Sequence, residues 1–519
     1  MRWRLLGAGI GLFGVGLTLL APGALGQGAT RPPVVTAAVQ VTATPSPVRA
    51  HNSPLIARNP RNGELVVAEV DARGTRECVV HISTDAGRSW FAGGNMMVKP
   101  FTDCSIGAEY GAYFNVFFGS DGTLYIPFAA NDPADLTKQR VVTTEDDRDA
   151  IVRNIYLARS SDSGRSFTTA TVHRFAEGAP DNYSKGVVGA VDPHDPNYVY
   201  VGWRQGAFSS KTQKLKNPIA ASSDGGRTFG DPVEITSPLG ADHPWLAVDG
   251  RGTVHAVNWG RTYQLPDPTP LRPINHYSST DHGKTWKHTV VDPGNDRSYR
   301  TPVLVADPDS TTLYVTWFGS ATPKNAALKD ADRSEIYLRS STDGGATWSK
   351  RRTVNDDAGK GNNHLYPGMS LSPNGRLDVA WYDTRLSPIA AADPESDTAS
   401  TDVFYASSTD GGATFTPSMR VSDRSSDRTI GVFSNSIGSA GPVGITSTRE
   451  GAYFAWQDTR NGNVTNQAED VYMASVGLDG TALTSTTSRK ETPSGVYVGV
   501  GLAMGMGVAM IAASALSRR

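Results

Sequence analysis

Ser341-Thr342-Asp343-Gly344-Gly345-Ala346-Thr347-Trp348 is one of six copies of the same eight-residue phrase in this chain of 519 residues. The shared form is Ser-x-Asp-x-Gly-x-(Ser/Thr)-(Trp/Phe), and its six aspartates are Asp85, Asp162, Asp224, Asp281, Asp343 and Asp410. Neighbouring copies are between 57 residues (Asp224 to Asp281) and 77 residues (Asp85 to Asp162) apart. A recurrence at that spacing is typical of one supersecondary unit copied around an array.

The phrase has the composition of a tight turn between two strands. Residues 335–340, before the fifth copy, alternate polar and apolar side chains as a half-buried strand does. The aspartate can accept hydrogen bonds from backbone N–H groups of the turn, and the glycine can adopt a positive φ that other residues resist. We therefore interpret the six aspartates as structural rather than catalytic.

With every fixed position filled, the phrase is identified as the Asp-box, and the chain resembles the Asp-box (BNR-repeat) β-propeller superfamily, best known from sialidases. The resemblance covers nearly the whole region between the two hydrophobic termini. It implies an all-β propeller. It says less about activity, because Asp-box propellers also occur in other glycosidases, in sorting receptors and in assembly factors, and a fold does not carry its function with it.

A seventh unit follows the sixth box and predicts seven blades, with six, the number in sialidase catalytic domains, as the alternative. It contains a strand ending at Trp456, a later strand over 471–474, and a degraded box over 475–480. The segment 34–42 has strand character, and we expect it to supply the outer strand of the seventh blade. Closing the ring in this way removes exposed sheet edges.

The two ends of the chain predict export and anchoring. Arg2 and Arg4 precede an apolar stretch and a small-residue cleavage site, which predicts a signal peptide over 1–26. Beyond a segment at 27–50 and the propeller at 51–483, a polar linker (484–494) leads to 22 charge-free residues (495–516) and a cytoplasmic tail (517–519). That length predicts one transmembrane helix, with the propeller on the extracellular side. Its Gly-x-x-x-Gly spacing is a weak indication of helix-mediated dimers.

Charge and cysteine content bound the partners. Lys+Arg 49 against Asp+Glu 51 gives a formal charge of −2, so nucleic acid is not an expected partner. The two cysteines, Cys78 and Cys104, predict a disulfide in an exported chain, with two free buried thiols as the alternative. A disulfide closing this loop contributes about 3–4 kcal/mol in the chain-entropy model. We predict no cofactor and no metal.

The long insertions are expected on the face opposite the Asp-boxes. In an antiparallel blade the boxes join third to fourth strands, so connections from second to third strands lie at the other end. The insertions are 129–150, 204–217, 261–276, 319–334, 382–402 and 457–469. Long loops on a rigid scaffold commonly carry binding sites, so this face is the predicted functional face.

The sialidase resemblance implies roles for residues on that face. The family clamps a substrate carboxylate with three arginines, and the candidates are Arg300, Arg385 and Arg460, with Arg204 and Arg261 nearby. It uses a tyrosine nucleophile assisted by a glutamate, here Tyr366 with Glu109, and an aspartate as acid/base, here Asp242. The family's Arg-Ile-Pro motif is missing, because the matching stretch reads Asn52-Ser53-Pro54.

Two of these arginines stand in a repeated phrase, Trp-x-Asp-Thr-Arg, which contains Asp383 and Arg385 in one copy and Asp458 and Arg460 in the other. These four residues are candidates for substrate binding. Alternatively, each aspartate pairs with its own arginine and makes a structural corner. The leading hypothesis is a cell-surface, sialidase-like exo-glycosidase acting on terminal residues of glycans, with sialic acid as the candidate sugar. The alternative is a non-catalytic propeller that binds glycan, cell wall or protein.

Overall fold

The computed structural model describes residues 31–46, 49–73, 77–96, 102–105, 115–131, 154–175, 184–206, 215–235, 242–260, 273–294, 301–320, 334–388, 400–431 and 441–484. The predicted signal peptide, transmembrane helix and tail lie outside these ranges, as do Glu109, Arg261 and Arg300. Within them, the structure contains no helix with the length and apolar character needed to span a membrane.

The described residues form β-strands. In chain order the strands are β1 (Val34–Val35), β2 (Val39–Gln40), β3 (His51–Arg58), β4 (Leu65–Asp71), β5 (Glu77–Ser83), β6 (Phe91–Ala92), β7 (Thr102–Ser105), β8 (Phe117–Phe118), β9 (Leu124–Asn131), β10 (Asn154–Ser160), β11 (Thr168–His173), β12 (Ser184–Val191), β13 (Val199–Gln205), β14 (Pro218–Ser222), β15 (Val233–Glu234), β16 (Asp242–Val248), β17 (Val254–Trp259), β18 (Ile274–Ser279), β19 (Lys287–Asp292), β20 (Val303–Ala306), β21 (Leu313–Ser320), β22 (Ser334–Ser341), β23 (Arg352–Thr353), β24 (His364–Leu371), β25 (Leu377–Asp383), β26 (Asp402–Ser408), β27 (Met419–Arg420), β28 (Gly444–Ser447), β29 (Gly451–Asp458) and β30 (Asp470–Gly477).

These strands make seven antiparallel sheets, so the seven-bladed propeller is confirmed. The sheets run β3-β4-β5-β6, β7-β9-β10-β11 (with β8 also on β9), β12-β13-β14-β15, β16-β17-β18-β19, β20-β21-β22-β23, β24-β25-β26-β27 and β28-β29-β30-β1. First strands of neighbouring blades contact one another, including β28 with β3. The ring is thus closed, and the first strands surround the central channel.

The N-terminal segment forms the outer edge of the seventh blade. Val34 pairs with Gly477, and Val39 pairs with Met473, both in antiparallel register. The side chain of Thr36 adds to this edge by accepting a hydrogen bond from the backbone N–H of Ser475 (2.9 Å). The ring is therefore closed by residues more than 400 positions apart in the chain.

Each Asp-box uses its polar groups within its own turn. Asp343 accepts hydrogen bonds at Oδ1 from the Ser341 hydroxyl (2.8 Å) and the Thr347 backbone N–H (2.9 Å), and at Oδ2 from the Thr347 hydroxyl (2.6 Å). Gly345 has φ +83, and a Cβ there would lie 2.1 Å from the His276 ring. The same aspartate-to-Ser/Thr bonds recur in the five other boxes.

The seventh turn is degraded in a different register from the one expected from sequence. Trp456 pairs with Tyr472 as Trp381 pairs with Phe404 in the sixth blade. Counted from that pair, Val476 stands where the boxes have serine, and Leu478 where they have aspartate. Gly480 keeps the positive φ (+79), and Leu483 packs in the place of the aromatic residue. The copy therefore begins at Val476 rather than Ser475, and apolar packing replaces its polar network.

The predicted disulfide joins neighbouring strands. Cys78 is buried in β5, which contacts β7, the strand that contains Cys104. The side chain of Cys104 lies outside the described part of the structure, so the bond itself stays a prediction.

One core position distinguishes the first blade from the others. The middle of the second strand buries Trp203, Trp317, Trp381 or Trp456 in four of the blades. At the equivalent position in β4 the chain places Glu69, which is 0% exposed. A carboxylate at a packing position is costly unless it is paired, so the first blade departs from the pattern for a specific reason.

Candidate functional site

The second strands end on the face opposite the Asp-boxes, which we call the loop face. On this face the first strand of several blades carries a two-residue bulge. In β3, Asn52 pairs with Val70 and Leu55 with Ala68, so Ser53 and Pro54 bulge. The register of β24 skips Tyr366 and Pro367 in the same way, and equivalent shifts occur in β12 and β16.

Bulges in four blades, together with the residue before β20 in a fifth blade, place one short motif from each of these blades around the channel. We call these residues the mouth ring: Asn52, Ser53, Lys185, Gly186, Asp242, His243, Thr301, Leu365 and Tyr366. In four of the five blades a proline follows the last of these residues. Proline cannot donate to a sheet ladder, so the bulge accommodates it without loss of a hydrogen bond.

The backbone of the mouth ring is strained at two side-chain-bearing residues. Ser53 has φ 51 and Tyr366 has φ 49, and Gly186 adopts a similar φ of 62. A non-glycine residue in this region costs about 1–3 kcal/mol, and such residues cluster at functional sites. Equivalent positions in separate blades thus share one uncommon conformation.

The mouth ring also concentrates buried polar atoms that have no hydrogen-bond partner within the structure. Both amide atoms of Asn52 (0% exposed), Oγ of Ser53 and Oγ1 of Thr301 are in this state. Most buried polar groups are satisfied, and leaving one unpaired costs about 1–3 kcal/mol. Within the described part of the chain, the ring therefore presents donors and acceptors that no other protein group engages.

The predicted catalytic residues fall in or near this ring. Asp242 begins β16, and the described part includes its backbone but not its side chain. Tyr366 lies in the ring, is buried, and packs its ring 5.1 Å from that of Phe318. The predicted partner Glu109 and the clamp candidates Arg261 and Arg300 lie outside the described residues.

Arg385 is engaged by three carboxylates and does not point a free guanidinium edge at the channel. Its Nε and Nη2 contact Asp383 (2.9 and 2.8 Å), Nη1 donates to Asp356 (2.8 Å), and Nη2 donates to Asp357 (2.8 Å). The guanidinium also stacks over Phe404 at 4.3 Å. Burial alone would lower the pKa of Arg385, but the hydrogen bonds to Asp383 raise it above its ordinary value.

Arg460 repeats this arrangement in the next blade. Its Nη2 donates to Asp458 (2.7 Å), Nη1 lies 2.7 Å from Asp423, and the guanidinium stacks over Tyr472 at 4.0 Å. In both copies the tryptophan of the phrase donates its indole N–H to the same aspartate. These contacts are those of the structural-corner alternative, and the clamp role of Arg385 and Arg460 stays a prediction.

Arg204 is unsuited to a clamp. It lies in β13 and is 0% exposed, so a ligand in the channel cannot reach its guanidinium without rearrangement of the blade. Asp383 and Asp458 are likewise fully buried, which places both in the corners and not on a binding surface.

A third corner of this kind was not predicted from the sequence. Asp71-Ala72-Arg73 follows the second strand of the first blade, and both Nε and Nη2 of Arg73 donate to the Asp71 carboxylate. The only signal was an Asp-x-Arg spacing without the preceding tryptophan. Corners of this kind thus occupy three consecutive blades, the sixth, seventh and first.

Two buried histidine clusters stand beside the corners. Oε1 of Glu69 accepts from His51 Nδ1 (2.9 Å) and His81 Nε2 (3.1 Å). Burial alone would raise the pKa of Glu69, but the nearby His51 holds it below its usual value. Burial opposes the charge on His51 as well, yet Glu69 raises its pKa above 6.5. This pairing accounts for a carboxylate at a tryptophan position.

His364 is held as a cation in the sixth blade. Its Nδ1 donates to the Ser334 carbonyl, and its Nε2 lies 2.8 Å from Asp357 and 3.4 Å from Asp383. Because both ring nitrogens face acceptors, both carry protons. Burial alone would lower the pKa of His364, but Asp357 raises it.

The same cluster has the spacing of a metal centre but not its chemistry. Ligand atoms of Asp357, His364 and Asp383 lie within 4.8 Å of one another. A metal-binding imidazole must be unprotonated at the ligating nitrogen, whereas Nε2 here donates. Arg385 already supplies the positive charge between the two carboxylates. We therefore assign the cluster as an ion-pair network.

The chain is similar to several solved structures at low sequence identity. No protein-family model matches the chain, and no curated protein does so either. The solved structures that match include a Hadza microbial sialidase (14% identity, TM-score 0.41, 79% of this chain and 73% of that one) and the phage phi92 endosialidase (10%, 0.45, 89% and 71%). An α-L-arabinanase of Penicillium chrysogenum also matches (15%, 0.34, 55% and 91%).

The chain has the fold of a sialidase-like Asp-box propeller. The six complete boxes and seven antiparallel sheets of this chain carry that statement. At these identities and TM-scores, the likeness concerns the propeller fold and does not extend to a sugar.

Proposed function

We propose that this protein is a glycan-directed propeller of glycoside-hydrolase type that binds its sugar at the mouth ring. The observation that carries the proposal is the set of unpartnered, buried polar atoms on Asn52, Ser53 and Thr301. A sugar hydroxyl both donates and accepts a hydrogen bond, so it complements amide and hydroxyl groups that lack partners. The strained backbone at Ser53 and Tyr366 supports the same location.

Hydrolysis at this site requires groups that donate and accept protons beside the bound sugar. Asp242 is the candidate acid/base because it belongs to the mouth ring and is a carboxylate. Glu109 and Tyr366 remain the candidate nucleophile pair that the sialidase resemblance implies. Sialic acid as the sugar gains no support from Arg385 and Arg460, whose guanidinium groups are engaged by carboxylates.

A panel of fluorogenic aryl glycosides, neutral and anionic, tests the proposal on the full-length protein in detergent. We expect release of fluorophore from at least one glycoside, and a loss of about 10²-fold or more in Asp242→Asn, the size of a typical acid/base contribution. A matched control is Asp309→Asn, an exposed carboxylate on the Asp-box face.

The second candidate function is a non-catalytic glycan-binding propeller. The observation that favours it is the packing of Tyr366 on Phe318, which occupies one face of the proposed nucleophile's ring. Glycan binding without turnover of any glycoside in the panel, with binding lost in Asn52→Leu, would select this function. Absence of both binding and turnover would contradict the proposal.

We also propose that the propeller is displayed outside the cell. The sequence at 1–26 supports export, and the apolar stretch at 495–516 supports an anchor. A disulfide between Cys78 and Cys104 is consistent with that location, and the contact between β5 and β7 supports it. Mass spectrometry of the non-reduced protein, digested and alkylated, tests whether the two cysteine peptides are linked.

A further inference from the structure

We infer that the mouth ring selects uncharged sugars and discriminates against carboxylated ones. This inference rests on the proposed function and concerns the charge of its ligand. It comes from the carboxylates that engage Arg385 and Arg460, the two described arginines of the Trp-x-Asp-Thr-Arg corners, and it runs against what the sialidase resemblance implies.

The corner of the sixth blade has no guanidinium edge left for a ligand carboxylate. A carboxylate is bound best by two parallel N–H groups of one guanidinium. In Arg385, the edge formed by Nε and Nη2 is filled by Asp383, and the remaining nitrogen, Nη1, donates to Asp356. Phe404 covers one face of the group. A ligand would have to displace carboxylates that belong to the protein.

The corner of the seventh blade engages both terminal nitrogens of its arginine, while Nε of Arg460 is buried and has no hydrogen-bond partner among the described residues. Asp458 and Asp423 take Nη2 and Nη1 of Arg460, and Tyr472 covers one face. The side chain of Arg460 is only 9% exposed. A ligand carboxylate approaching either corner therefore meets acidic groups before it meets a guanidinium.

The balance of charge points in the same direction. At the sixth-blade corner, Arg385 and the cation His364 face three aspartates, namely Asp356, Asp357 and Asp383. At the seventh-blade corner, Arg460 faces two aspartates. Glu335 lies a further 3.7 Å from His364, so each corner carries more carboxylates than cationic groups. Like charges repel an anionic ligand in a partly buried site. Lys185 in the mouth ring is a single ammonium and lacks the fork that matches a carboxylate.

Two of the carboxylates sit at the outer edge, where a variant can remove them without opening the core. The side chains of Asp356 and Asp423 are 41% and 42% exposed, while those of Asp383 and Asp458 are fully buried. Removing the outer pair frees one nitrogen of each guanidinium and leaves the buried half of each corner intact. These positions allow a gain-of-function test.

The experiment uses full-length protein in detergent on an array of paired oligosaccharides that differ only in the terminal sugar, galactose against galacturonic acid, with a sialylated member. We expect the galactose-terminated member to bind at least tenfold more tightly than either carboxylated partner. In the Asp356→Ala/Asp423→Ala variant we expect affinity for the carboxylated members to rise at least fivefold. The control is Glu450→Gln, which removes one exposed charge on the Asp-box face.

Three results would contradict either the inference on ligand charge or the proposed function, and each points to one of the two. Equal or tighter binding of a carboxylated member by the unmodified protein overturns the inference but leaves the proposed function standing. A double variant that is folded by circular dichroism yet shows no gain for carboxylated members also overturns it. Absence of binding to every member contradicts the proposed function itself.

Discussion

At the scale of single residues, Glu69 shows how a packing position becomes an ionic one. Four blades bury a tryptophan at this place, and the first blade buries a carboxylate whose Oε1 is shared by His51 and His81. Breaking a buried ion pair by removing one partner is strongly destabilising, because the other charge stays buried. The position therefore ties the stability of the first blade to His51 at the start of β3 and His81 in β5.

Glu69→Gln is expected to lower the free energy of unfolding by about 3 kcal/mol, because it leaves the buried His51 without its counter-charge. Urea denaturation followed by tryptophan fluorescence measures the change. The matched control is Glu64→Gln, a half-buried surface partner of the exposed Arg165, for which we expect a change below about 1 kcal/mol. Equal effects of the two substitutions would show that the Glu69 cluster is not specially stabilising.

The Asp-box aspartates offer a second residue-level test. The Thr347 hydroxyl and backbone N–H hold the pKa of Asp343 near about 2, so this side chain is an ionised acceptor at neutral pH. Asp343→Ala should destabilise the fifth blade by about 1–2 kcal/mol through the loss of these hydrogen bonds, without changing ligand binding on the opposite face. Thermal unfolding and the glycan array provide the two readouts.

Asp479 in the degraded seventh turn is the matched control for Asp343. Among the described residues it accepts hydrogen bonds from the N–H and hydroxyl of Thr481, while Leu478 and Leu483 pack against the apolar core. We therefore expect Asp479→Ala to lower the melting temperature less than Asp343→Ala does. A larger fall in melting temperature for Asp479→Ala than for Asp343→Ala would contradict the structural role assigned to the box aspartates.

At the scale of elements, the seventh blade depends on a strand from the other end of the chain. Removal of residues 31–46 deletes β1 and β2 and exposes the edge of β30, which is buried along its length. We expect the melting temperature to fall by several degrees and amide protons of β30 to exchange faster, since an edge strand loses its pairing partners. Unchanged exchange in β30 would show that the ring is stable without this closure.

The sequence predicted elements better than it predicted side-chain roles. The repeated box and the alternation before it specify strands and turns locally, so the blade count and the N-terminal closing strand could be inferred. The partners of Arg385 could not, because Asp356 and Asp357 precede β24 while Arg385 follows β25, and only the sheet register brings them together. Of the mouth ring, Asp242 and Tyr366 were predicted as site residues, but the ring as a set was not, since bulges appear in the pairing register and not in composition.

At the scale of the whole molecule, the buried histidines and carboxylates set a pH window for stability. His51 and His364 have raised pKa values in the folded state, because Glu69 and Asp357 outweigh the effect of burial. Their contribution to the free energy of unfolding is complete below about pH 6.5, the pKa of an unperturbed histidine. It is lost as the pH rises through their pKa values in the folded state. The pKa values of three carboxylates, Glu69, Asp71 and Asp357, are lowered in the folded state. These groups therefore stabilise the fold above about pH 4, and that stabilisation is lost on acidification.

We therefore expect the urea midpoint to be highest between about pH 4.5 and 6.5 and to fall towards pH 8.5. The double variant His51→Gln/His364→Gln should be less stable at pH 5.5 and should lose less of its stability between pH 5.5 and 8.5. The control His194→Gln, an exposed residue on the Asp-box face, should keep the original slope. A midpoint that rises steadily with pH would contradict these assignments.

The closure of the seventh blade also fixes the order in which the molecule can be completed. Val34 and Val39 leave the ribosome among the first residues, but their partners Gly477 and Met473 leave it more than 430 residues later. Until then β1 and β2 have no pairing partner, and the blades already formed make an incomplete ring. During that wait, the N-terminal strand of one copy can add to the seventh blade of another. Folding at high concentration should therefore yield strand-exchanged dimers, because the first strands of the ring are also the last to find their partner.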